Sequence, residues 1–127
     1  MEHRELRPVL TIRLFAEEKC FGPGIAELLR RVRELKSLRA AAASMGMAYS
    51  KAWRIIRTAE EVFGCKMLDS TIGGRGGGGA VLTPEAERLL AAYEAYVADV
   101  TAYAQSKFET VFGFYRELEQ ECIQKDR

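Results

Sequence analysis

Histidine is almost missing from this sequence, and cysteine is sparse. The one histidine, His3, lies in a polar N-terminal tail, and Cys20, Cys65 and Cys122 stand far apart with no CxxC pair. Metal sites draw several such ligands from close spacings, so neither a zinc centre nor a disulfide framework is expected. The thiols are expected to be reduced, as in a cytoplasm. No apolar stretch approaches the roughly 20 residues of a membrane-spanning helix, and MEHRELRP does not read as a signal peptide. No nucleophile is set beside a base, and no histidine-centred cluster exists, so an enzyme is not expected and no cofactor is called for. These absences point to a cytoplasmic protein with no membrane partner.

Glycine is not scarce but is concentrated, with six residues of that type in GGRGGGG (73–79). Such a run cannot form a core, but it permits close approach of its backbone to another backbone. A phosphate cradle of a nucleotide-binding protein fails on spacing, because no Gly-Lys-Ser/Thr follows and no helix begins there. GPG (22–24) is equally weak as a cofactor fingerprint. Apolar segments flank the glycine run, Cys65–Ile72 and Ala80–Leu82, and read as two strands of a hairpin with Arg75 at its tip. A flexible connector is the alternative.

Proline, also rare, marks helix starts. Pro23 follows a strand expected at PVLTIRLF (8–15) and a shorter partner at Lys19–Phe21. Beyond it Ile25, Leu28, Leu29, Val32 and Leu35 recur at helical spacing. Ser37 is a suitable N-cap for an alanine-rich helix over 37–45, and Gly46 supplies a turn. The next helix, 49–63, turns Ala52, Ile56, Ala59 and Phe63 to one face. Ser50, Arg54 and Arg57 fall opposite, and Tyr49, Lys51 and Trp53 lie at the flanks, with Trp53 expected to anchor packing. Thr83 caps a helix that starts at Pro84. Along it Leu90, Tyr93, Val97, Val100, Ala104, Phe108, Val111, Tyr115, Leu118 and Cys122 form one apolar stripe. A second copy of the chain is the economical partner for that stripe, with an intramolecular pair of helices as the alternative. Gly113 is where the helix can bend or break.

Charge divides along the chain. Residues 37–83 hold Arg39, Lys51, Arg54, Arg57, Lys66 and Arg75 against three acids, a balance of +3, whereas from 84 onward five basic residues face nine acidic ones, a balance of −4. The expected architecture is mainly α with small β hairpins: a winged helix-turn-helix over 1–83, and a long C-terminal dimerisation helix, a stalk, over 84–127. A helix pair at a tight turn, a basic outer face and a glycine hairpin together imply double-stranded DNA as the partner. Arg39, Tyr49, Ser50, Lys51, Arg54, Arg57 and Arg75 are the residues expected to meet it.

AAASMGMAYSKAWRII (41–56), then MLDSTIGGRGGGGAVLTPEAERLL (67–90), with FGPGIAELLRRVRELKSL (21–38) before them, resemble the N-terminal domain of ModE-type molybdate-responsive regulators. That domain is a winged helix related to the LysR-type head. The resemblance implies a dimeric transcription factor on an inverted-repeat site, with Tyr49, Ser50, Arg54 and Arg57 on the recognition helix and Arg75 on the wing. Ala48 replaces the serine usual before the tyrosine, and Ser70 stands where related heads carry arginine. The C-terminal oxyanion-binding domains of that family have no room in 127 residues, so molybdate sensing is not expected. The second reading is a protein-interaction module on a winged-helix scaffold, with an effector or partner protein still to be identified.

Overall fold

The computed structural model describes residues 5–71 and 79–125. Its elements run β1 (Leu14–Phe15), β2 (Lys19–Phe21), α1 (Pro23–Leu35), α2 (Leu38–Ser44), α3 (Tyr49–Phe63), β3 (Leu68–Thr71), β4 (Gly79–Leu82), α4 (Pro84–Phe112) and α5 (Tyr115–Lys125). The mainly helical winged architecture expected from the sequence is present. Contacts divide the chain into one unit of Thr11–Ala95 and another of Met1–Leu10 with Tyr96–Arg127.

In the first unit, the strand expected over 8–15 shrinks to Leu14–Phe15, paired with Phe21 and Lys19 across an irregular register. β2 is only three residues long because Gly22 and Pro23 open α1 directly after it, so residues 8–13 have no strand to pair with. α1 buries Ile25, Leu28, Leu29 and Val32 as its periodicity requires. Leu35 does not join them: α1 ends there, Lys36 turns left-handed at φ 59°, and the Leu35 side chain is left exposed.

The Ser37 hydroxyl accepts from the Ala40 amide at 3.0 Å and caps α2. Ala41 and Ala42 are fully buried; their small side chains let α2 lie close to its neighbours. Gly46 makes the turn at φ 64°, a conformation that costs other residues more. α3 then buries Ala52, Ile56 and Ala59, while Phe63 stays partly exposed and meets Phe21 edge-on at 6.2 Å.

The wing stem is short and firmly tied. β3 and β4 pair antiparallel from Leu68↔Leu82 to Thr71↔Gly79. A Glu60 carboxylate oxygen on α3 accepts from the Met67 amide at 2.8 Å, and the Ala80 amide donates to the Lys36 carbonyl at 2.9 Å. Buried Thr83 donates its hydroxyl to the Lys66 carbonyl at 2.6 Å and accepts from the Ala86 amide at 3.1 Å, so one side chain caps α4 and closes the hairpin. These bonds fix the base of the wing against α3. Residues 72–78, with Arg75, lie outside the described residues.

In the second unit α4 ends at Phe112 and α5 begins at Tyr115, so the long helix breaks at Gly113. A Cβ there would stand 2.6 Å from the Glu109 carbonyl oxygen, a distance only glycine avoids. Phe108 is buried and stacks with Phe112 at 5.5 Å and near Tyr115 at 6.1 Å. Val111, Phe114, Leu118 and Ile123 are exposed.

Candidate nucleic-acid interface

Burial of Ala52, Ile56 and Ala59 turns the opposite side of α3 outward, and Ser50, Arg54 and Arg57 are all exposed there. Ala48 precedes the helix without a side-chain cap, so its first amides carry no competing side-chain oxygen from that residue. Arg39 of α2 lays its guanidinium 4.2 Å from the centre of the Tyr49 ring, joining both helices of the turn at one exposed spot.

Trp53 corrects the sequence reading: it is 42% exposed rather than an interior anchor. Ala52 and Ile56 take the inward positions, and one residue further round the helix the indole can reach the interior only in part. Its face is covered from outside by Arg57, whose guanidinium carbon is 5.3 Å from the ring centre.

The arginines of α1 are otherwise employed. Arg30 pairs with Glu27 and Glu94, and Arg31 with Glu27 at 2.9 Å; Arg31 also bonds the Ser44 carbonyl at 2.8 Å. Arg33 makes two hydrogen bonds to Glu87, one of them 3.1 Å, and this contact raises the guanidinium pKa and lowers that of the carboxyl. By contrast Lys51, Arg54 and Arg57 have no acidic partner among the described residues. Unneutralised cations are therefore gathered on the outward face of one helix, where a polyanion can approach.

The stripe expected from Leu90 to Leu118 is divided. Leu90 and Tyr93 are buried within the chain itself; the Tyr93 hydroxyl donates to the Ile12 carbonyl at 2.7 Å, and its ring lies 5.2 Å from Phe21. Burial pushes that phenol's pKa up, against the pull of Arg30 and Arg13. Val97, Val100, Ala104 and Tyr115 are half-buried, Phe108 is buried, and Val111 and Leu118 are exposed. The part of the stripe not fully buried within the chain thus begins at Val97.

Among the described residues no cluster of His, Cys, Asp and Glu could hold a metal, and no helix is long and apolar enough to cross a membrane. Cys20 is buried with its thiol on the Leu14 carbonyl, Cys65 is half-buried and Cys122 exposed; none is disulfide-bonded.

Residues 26–87 match the bacterial regulatory helix-turn-helix proteins of the lysR family. The chain is similar to the molybdenum-pterin-binding protein MopB of Rhodobacter capsulatus, 39% identical over 65% of this chain and 30% of that protein. It is similar to the molybdenum transport protein ModE of Herbaspirillum seropedicae, 35% identical over 52% of this chain and 24% of that one. It is also similar to the DNA-binding transcriptional dual regulator ModE of Escherichia coli K12, 32% identical over 68% of this chain and 32% of that regulator. The matched segment spans about a third or less of the length of each of these relatives. Residues 26–87 take in most of α1, all of α2 and α3, the wing strands and the start of α4, and over them the chain carries a lysR-type helix-turn-helix head similar to those of the ModE relatives.

Proposed function

We propose that the protein is a transcriptional regulator that binds operator DNA as a homodimer on an inverted repeat. The observation that carries this reading is the outward face of α3: Lys51, Arg54 and Arg57 without acidic partners, on a helix locked from behind by Ala52, Ile56 and Ala59. In this reading α3 enters the major groove with Tyr49, Ser50, Arg54 and Arg57 toward base edges. Arg39 and Lys51 meet phosphates at its margins, and Arg75 reaches the backbone or minor groove from the wing. Two copies join through the stripe from Val97 to Leu118, which sets their recognition helices about one DNA turn apart, roughly 34–36 Å.

These 127 residues do not by themselves capture molybdate. Oxyanion sites need converging N–H donors with cationic or hydroxyl side chains, whereas residues from 84 onward carry a balance of −4. Calorimetric titration with molybdate tests this: a saturable signal at one site per chain would contradict it.

The exposed Val111, Phe112, Phe114, Leu118 and Ile123 favour a second reading, in which another protein rather than a second copy is held there. Salt separates the two main readings. Binding to duplex DNA must weaken steeply as salt rises, while binding through apolar side chains must not.

A further inference from the structure

A groove of about 420 Å³ runs between β2, the first turn of α1 and one flank of α3. Arg13 and Lys19 from the hairpin side and Lys51 and Arg54 from α3 line its walls, with Glu18 the one acidic side chain and Thr58 a neutral hydroxyl. None of the four cations is ion-paired among the described residues. α1 opens into this space with Pro23 and Gly24 and no acidic residue in its first turn, so Glu18 alone offsets the positive charge of the lining. Arg13 and Lys19 lie far from α3 in sequence, yet the fold sets them across the groove from its basic face. Arg54 belongs both to that groove and to the outward face proposed to meet DNA.

We propose that this groove is a seat for the DNA sugar-phosphate backbone, with the β1–β2 hairpin as a second phosphate-binding arm beside α3. The proposal rests on the reading of α3 as a DNA-contacting helix and extends its footprint to Arg13 and Lys19. A groove lined by cations from both the hairpin side and α3 suits a strand of phosphates, and phosphate contact fixes register on the duplex without reading sequence. Such contacts announce themselves through salt: each neutralised phosphate adds about 0.9 to the slope of log affinity against log salt.

The test uses the full chain and the combined variant Arg13→Gln with Lys19→Gln, both exposed positions where a polar stem is kept. Binding to one selected duplex and to an unrelated duplex is titrated at several salt concentrations. For the double variant, the loss of affinity between about 50 and 200 mM salt should be about 12-fold smaller than for the unaltered chain, as expected for two lost phosphates. The ratio of affinities for the two duplexes should stay the same, as should the urea unfolding midpoint. Glu18→Gln should tighten binding to both duplexes; weaker binding would count against the proposal. If the unaltered chain binds duplex and the double variant keeps its full salt slope, the groove assignment is wrong while the α3 reading stands. If the unaltered chain binds no duplex, both fall. Saturable binding of inorganic phosphate without DNA, lost in the double variant, would assign the groove to a free anion and overturn the backbone assignment.

Discussion

Arg57 holds its guanidinium 5.3 Å from the centre of the Trp53 indole, one helical turn earlier on α3, and both side chains are exposed. An exposed cation–ring contact of this kind is worth about 0.5–1 kcal/mol. Its proposed use is to hold Arg57 extended toward DNA before binding. Trp53→Leu should therefore lower the thermal midpoint by no more than about 5 °C and weaken duplex binding by about 0.5–1 kcal/mol, read by fluorescence anisotropy. A large fall in thermal stability instead would restore the indole to the role of a core anchor.

Arg54 and Arg75 should differ in kind. Arg54→Ala should cost about 1–3 kcal/mol on a matched duplex and relax base preference, as expected for a side chain at base edges. Arg75→Ala should weaken matched and mismatched duplexes alike, as expected for a phosphate contact. Mobility-shift titrations on the two duplexes distinguish these outcomes. Unchanged affinity in both variants would refute the assignment of α3 and the wing.

The Arg33–Glu87 pair predicts a pH dependence of stability. The hydrogen bond from Arg33, ahead of the opposing cost of burial, holds the Glu87 carboxyl below its ordinary pKa. A carboxylate with a lowered folded-state pKa stabilises the fold above its unfolded pKa, and that contribution is lost as pH falls through the folded value. Both side chains are nearly half exposed, 47% and 45%, so the contribution is at most about 1 kcal/mol. Glu87→Gln should therefore lower unfolding free energy by up to about 1 kcal/mol at neutral pH, with the difference closing under acid. Urea denaturation at both conditions checks this, and a gap that persists in acid would contradict it.

Much of the head was legible because its signals are local. The Ser37 and Thr83 caps, the Pro23 and Pro84 helix starts and the Gly46 turn each declare themselves within a few residues. The inward face of α3 follows from periodicity alone. What escaped depends on tertiary placement. Residues 8–13 have strand-like composition but no partner strand, Trp53 loses the interior to Ala52 and Ile56, and Leu90 and Tyr93 are claimed by the chain's own core. Arg13 and Lys19 carried no signal in the sequence, since only the fold sets them opposite Lys51 and Arg54.

The proposed dimer makes a demand on the stripe that remains. Val97 and Val100 are half-buried in the single chain, and Val97→Glu with Val100→Glu would place charges without partners in the seam, where burial is costly. Sedimentation should show a dimer for the unaltered chain at micromolar concentration and a monomer for the variant. A monomeric unaltered chain contradicts the dimer.

Selection of bound fragments from a pool of random duplex DNA tests the central claim most directly. Two copies presenting α3 about one turn apart should enrich an inverted repeat whose half-site centres lie about 10–10.5 base pairs, or a multiple of that, from each other. Recovery of no common sequence after repeated rounds, with binding insensitive to salt, would contradict the account and leave the head as a scaffold for protein partners.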